Sequence, residues 1–96
     1  MTARATYLKA AYGLTVAQWN QMFKLQNGLC PICLKQIHKP GHDKRAAAVD
    51  HDHVTKRVRG LLCYRCNRFI VGRLRGTEQL KRVIVYLESD FDGRKL

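Results

Sequence analysis

Two Cys-x-x-Cys pairs, Cys30-Pro-Ile-Cys33 and Cys63-Tyr-Arg-Cys66, contain every cysteine of this chain and stand 29 residues apart. Four thiols so placed permit two disulfides, one metal site or a redox pair. The N-terminal residues, Met1 to Lys9, contain no uninterrupted apolar stretch of the length a signal peptide or membrane span requires, so a cytoplasmic, reduced chain is expected. Zinc is therefore expected on Cys30, Cys33, Cys63 and Cys66, since each knuckle supplies two thiolates to a tetrahedron. A closed four-thiolate site has no open position for water, which makes this zinc structural. A chain of 96 residues builds one domain with a thin core, and such domains usually need a staple of this kind.

Lysine and arginine number 18 against 7 aspartate and glutamate, a net charge of +11, which makes a polyanion the natural partner. The excess is uneven. Between Lys56 and Arg82 the chain carries Lys56, Arg57, Arg59, Arg65, Arg68, Arg73, Arg75, Lys81 and Arg82 against Glu78 alone. One continuous stretch of this kind favours phosphate contact and a steep loss of affinity with salt. A membrane surface would need the C-terminal helix, which the core is expected to claim.

Periodicity places the elements. A short amphipathic segment with Tyr7, Leu8, Ala11 and Tyr12 ends at Gly13. Thr15 with Gln18 three residues later is a capping-box signature, and Val16, Trp19, Phe23 and Gln26 mark one face of a helix that stops at Asn27-Gly28. A polar loop with Pro40-Gly41 as its turn follows Cys33, and its His38 and His42 are expected to face solvent. Ala46 to His51 and Val58 to Leu62 predict the strands of a hairpin. Cys66 opens a helix through Leu74, weakened by Gly72, and Thr77 caps a last helix whose Leu80, Val83, Ile84 and Leu87 predict a buried stripe. Residues 90–96 predict a fraying tail. The expected fold is a small α+β zinc-stapled domain over residues 1–96, with a core spanning about 14–75 and the C-terminal helix about 77–89.

The tetrad Asp50-His51-Asp52-His53 lies between the cysteine pairs, and Asn67 follows the last cysteine. A carboxylate and a carboxamide are hard oxygen ligands suited to magnesium or manganese, and a neighbouring histidine can accept a proton from an attacking water. Strand alternation, however, sends Asp50 and His51 to opposite faces, so both serve one site only if the strand twists or breaks there. Asp52 is read as a structural partner.

In Leu29-Cys30-Pro31-Ile32-Cys33, Val49-Asp50-His51-Asp52-His53, Val58-Arg59-Gly60-Leu61-Leu62-Cys63 and Cys66-Asn67, the chain resembles the phage recombination endonuclease VII branch of the HNH, or His-Me finger, nucleases. The resemblance implies a ββα-metal core in which Asp50 and Asn67 hold one catalytic Mg or Mn ion and His51 is the general base. His53 would contact phosphate or assist His51. It also implies phosphodiester hydrolysis of DNA leaving 5′-phosphate and 3′-hydroxyl ends, in the host cytoplasm if phage-encoded. Arg57, Arg59, Arg65 and Arg68 are expected to contact DNA. About 30 residues follow Asn67, less than the junction-resolving members use for an interlocked dimer, so nicking or double-strand cleavage is expected ahead of Holliday-junction resolution. Monomer and homodimer both stay open, as does membership of a phage DNA-processing machine. The rival from another class is a non-catalytic zinc module that binds nucleic acid through the basic stretch.

Overall fold

The structure, a computed structural model, describes residues 2–40 and 46–96; the His42 and Gly41 expectations lie outside the described residues. Helix α1 spans Ala3–Tyr12, begins with the Thr2 side chain accepting from the Ala5 N–H, and ends at Gly13 in the left-handed conformation, whose N–H folds back onto the Leu8 and Lys9 carbonyls. Helix α2, Val16–Leu25, opens with the expected capping box: the Gln18 N–H reaches Thr15 Oγ1 at 3.1 Å while Gln18 Oε1 accepts the Thr15 N–H at 2.9 Å. Its inner face delivers Trp19, which is fully buried, stacks on Phe23 at 5.4 Å and carries the Arg4 guanidinium over its ring at 4.8 Å.

Two left-handed residues, Asn27 and Gly28, turn the chain out of α2, and a Cβ on Gly28 would stand 3.3 Å from the Phe23 ring. Gln26, just before them, acts as a short stretch of false strand. Its Oε1 accepts the Leu61 N–H at 2.8 Å and its Nε2 donates to the Leu61 and Leu29 carbonyls at 2.8 and 3.1 Å. One amide side chain thus satisfies groups of a fully buried strand residue that would otherwise be orphaned.

Strands β1, Ala48–His51, and β2, Val58–Leu62, form an antiparallel hairpin. Ala48, Val49 and Asp50 face Leu62, Leu61 and Gly60, but His51 faces Val58, so Arg59 is an extra residue that bulges the ladder between Asp50 and His51. The core comprises Leu8, Leu14, Trp19, Ile37, Leu61 and Leu62 around the sulfurs of Cys30 and Cys66. Ile37 is a correction to the polar-loop expectation. Its N–H bonds to the Gly28 carbonyl and the side chain is completely buried, because the segment doubles back under the first knuckle.

The two last helices depart from expectation. After Cys66 the chain forms a π-helical turn, Cys66–Ile70, and then a 3-10 turn, Val71–Arg73, in place of a continuous α-helix. Gly72 packs so closely that a Cβ there would lie 2.6 Å from the Asn67 carbonyl oxygen. Helix α3, Glu78–Glu88, forms as expected but buries none of its residues: Leu80, Val83 and Ile84 are 40 to 49% exposed and Leu87 is 73% exposed. Thr77 makes no side-chain cap there. The molecule measures 65 × 28 × 21 Å with a radius of gyration of 16.9 Å, against about 13 Å for a compact chain of this length. Amphipathic periodicity reports a helix with an apolar face; what covers that face is a tertiary matter, and here the face is left more than a third exposed. Burial therefore does not withhold α3 from a membrane surface or another partner. The final residues fold into a short 3-10 turn, Gly93–Lys95, pinned by an Arg94–Asp92 pair.

Candidate functional site

The four cysteines converge as their spacing requires. Their sulfurs all lie within 4.8 Å of one another, and Cys33 Sγ stands 3.8 Å from Cys63 Sγ. Zinc–sulfur bonds of about 2.3 Å in a tetrahedron set sulfurs about 3.8 Å apart, so the cluster fits a four-thiolate zinc. The knuckle geometry is visible in the backbone. Leu34 takes a left-handed conformation with its N–H on the Cys30 carbonyl, and the Cys66 N–H points at Cys63 Sγ at 3.3 Å. Burial pushes up both inner thiols. At Cys30 the backbone N–H groups of Cys33, Cys63 and Ile32 outweigh it and bring the group down to about 6, whereas at Cys66 burial and the neighbouring sulfurs drive it to about 12.

A cavity of about 730 Å³ at the end of β1 is lined by Tyr12, Asp50, His51, His53, Arg59, Asn67, Gly72 and Arg75 among others. The bulge at Arg59 breaks the ladder between Asp50 and His51, and both residues line the one cavity. Asn67 lies in the π-helical turn directly after Cys66, and its N–H bonds to the Cys63 carbonyl, so the carboxamide follows the sulfur cluster at once along the backbone.

Asp50 is buried, and Arg59 grips its carboxylate with both arms of the guanidinium: Nε to Oδ2 at 2.8 Å and Nη2 to Oδ1 at 2.9 Å. Hydrogen bonding to Asp50 raises Arg59 above its ordinary value. Arg59, expected on the DNA, is thus the counter-ion of the candidate metal ligand. The His51 ring lies between two others, 5.3 Å from Tyr12 and 4.6 Å from His53. Tyr12 in turn meets the Tyr7 hydroxyl at 3.5 Å, and that contact, with burial, raises it to about 12. Tyr12 carries no sequence signal, since it reaches the site from a helix almost forty residues upstream of His51.

Asp52 behaves as the structural partner expected of it. Its Oδ1 accepts the N–H groups of Val54 and Thr55 at 2.8 and 3.0 Å, and those donors, Thr55 first, hold its carboxyl below the usual range. The four arginines divide. Arg57 lies at the hairpin turn and Arg59 in the Asp50 cavity, while Arg65 lines a second cavity and Arg68 lies over the Tyr64 ring. His38 is half-buried on that second cavity and its carbonyl accepts the Ala47 N–H, contrary to the solvent-facing expectation; the isolated bridge to Ala46 draws it in.

The model of the family described as recombination endonuclease VII matches residues 5–89. The chain is 40% identical over 89 residues to the Gene 59 protein of Mycobacterium phage D29, a match covering 92% of this chain and 52% of that protein. It is 41% identical over 87 residues to the Gene 59 protein of Mycobacterium phage L5, covering 90% and 51%. The chain therefore spans about half the length of the curated relatives it matches. Among the described residues no helix is long and apolar enough to cross a membrane.

Proposed function

The chain belongs to the recombination endonuclease VII family, and from that premise we propose that it is a metal-dependent DNA endonuclease of the HNH, or His-Me finger, kind, with His51 as general base and Asp50 and Asn67 as ligands of one divalent ion. The single observation that supports this is that Asp50, His51 and Asn67 line one cavity, at a bulge in the hairpin and at a π-helical turn.

The donor set fits a hard cation such as magnesium or manganese, one carboxylate and one carboxamide leaving the remaining positions to water and phosphate. Such an ion, when bound, supplies charge stabilisation at the phosphate and at the departing 3′ oxygen. The chain's residues do the rest. The His51 imidazole, with the Tyr12 and His53 rings beside it, takes a proton from the attacking water. Arg59 holds the Asp50 carboxylate in place, and its guanidinium would be available to a phosphate where the carboxylate is shared with an ion. His53 contacts phosphate at the exposed rim. Cys30, Cys33, Cys63 and Cys66 would hold a zinc whose role is to fix the turn that carries Asn67. Hydrolysis would leave 5′-phosphate and 3′-hydroxyl ends, by nicking or double-strand cleavage, as a monomer or a homodimer. Four-way junction resolution stays within this reading, because the relatives run to about twice the length of the matched region.

One observation favours a rival, a zinc module that binds nucleic acid without cutting it: the Asp50 carboxylate already has a bidentate partner in Arg59. Supercoiled plasmid with magnesium or manganese separates the two. The endonuclease nicks it and His51→Ala loses about 100-fold or more of that rate; equal cleavage by wild type and His51→Ala, or none by either, removes the proposal.

A further inference from the structure

We propose that a second cavity, lined by Phe69 and Ile70 of the Cys66–Ile70 turn, is a binding site for unpaired bases of a single DNA strand, with Tyr64 and Phe69 as the stacking surfaces. The cavity has about 760 Å³ and is lined by Lys35, His38, Tyr64, Arg65, Phe69 and Ile70 beside Cys33 and Cys63, and among the described residues no acidic side chain lines it. A volume in this range suits a ligand of small-molecule size.

Its chemistry is unusual for a free surface. Tyr64 and Phe69 are 48 and 47% exposed, their rings meet edge to face at 6.2 Å, and Ile70 beside them is 43% exposed. Each ring is overlain by a cation: the Arg68 guanidinium lies 5.8 Å from the Tyr64 centroid and that of Arg73 lies 5.4 Å from Phe69. Aromatic faces set in a field of positive charge are what sequence-tolerant single-strand binding uses, the cations tracking phosphate while the rings take bases. A duplex keeps its bases stacked inside and offers this surface only phosphates, which would leave both rings idle. A protein partner is disfavoured by the charge, since nothing in the lining balances Lys35 and Arg65. The Cys66–Ile70 turn presents Asn67 to the first cavity and Phe69 and Ile70 to the second, so a strand stacked here lies against the same element that carries a candidate metal ligand.

The proposal rests on DNA being the substrate, and the test separates the two. Full-length, zinc-loaded protein without added divalent ion is titrated into a labelled single strand carrying the adenine analogue 2-aminopurine, and into a duplex of equal length, at fixed salt. Tyr64→Leu and Phe69→Leu, which keep apolar bulk but remove the π face, are expected to weaken single-strand binding by about tenfold each and to abolish the stacking quench, while Phe69→Tyr retains both. Duplex affinity, being set by phosphate contacts, is expected to change by no more than about twofold. Variants that keep zinc and bind the strand with undiminished affinity and quench overturn the proposal. Parallel losses on strand and duplex overturn it too, since they mark a general charge effect. If a leucine variant does not fold, crosslinking of a 5-iodouridine strand to wild type decides: adducts on Tyr64 or Phe69 support the site, and adducts confined to the Asp50 cavity, or occupancy of this face by a protein instead, overturn it. Wild type that nicks plasmid yet binds no single strand defeats this inference alone, whereas wild type that neither binds nor cuts DNA defeats the endonuclease reading.

Discussion

Arg59 and Asp50 are joined by two hydrogen bonds of 2.8 and 2.9 Å across the bulge of the hairpin, so the carboxylate best placed to hold a cation already has one. A divalent ion and the guanidinium compete for the same oxygens. Arg59→Ala should therefore tighten manganese or calcium binding severalfold, read by calorimetry without DNA, while Asp50→Asn abolishes it. Without a cation the same substitution should cost about 1 kcal/mol, because Arg59 is 39% exposed and solvent screens the pair. Weaker metal binding by Arg59→Ala would refute the exchange.

Gly72→Ala tests the π-helical turn. Its Cβ would press on the Asn67 backbone oxygen, which has no flexible end to move aside. A loss of about 1–3 kcal/mol is expected, the ordinary cost of overpacking. Plasmid cleavage should fall further than the stability change explains, because the displaced atom belongs to the candidate ligand. A variant that cuts normally would show that the turn's shape is immaterial to the chemistry.

Removal of zinc should unfold the chain cooperatively. The core is small and two of its buried members are sulfur ligands, so the metal's binding energy is folding energy. Far-ultraviolet dichroism during titration with a chelator should lose helix and hairpin together, one zinc being released per chain. Acid should do the same, since the ligands must be thiolates. Native dichroism in metal-free protein would contradict the staple.

Gln26→Leu should destabilise by about 3 kcal/mol, measured from urea midpoints, because it leaves the Leu61 N–H and the Leu29 and Leu61 carbonyls without partners inside the protein. Gln26→Glu should recover little, since a carboxylate cannot donate to either carbonyl. A loss well under 1 kcal/mol would mean that water replaces the amide.

Features encoded over a few residues were legible from the sequence. The Thr15–Gln18 box, the knuckles and the Asp52 turn each follow from local hydrogen bonding, and each stands where spacing puts it. What the linear pattern lacks is information about partners. Apolar positions 80, 83, 84 and 87 report that α3 has a face, not whether a surface waits for it, and Ile37 in a polar run has no period to announce its burial. The extra residue in β2 emerges only when its five positions are counted against the four of β1, and Tyr12 meets His51 only after two helices and a knuckle have folded.

That surplus residue bears on how a lineage carrying this hairpin can change. Side chains along β2 can be exchanged one at a time and selected on their merits, but a single-codon deletion at Arg59 would pair Asp50 and His51 with consecutive partners, erasing the kink at a stroke. Length variation is therefore expected to collect in the turn around Val54, Thr55 and Lys56, and β2 itself to be intolerant of indels even at positions such as Val58 where its side chains can be exchanged.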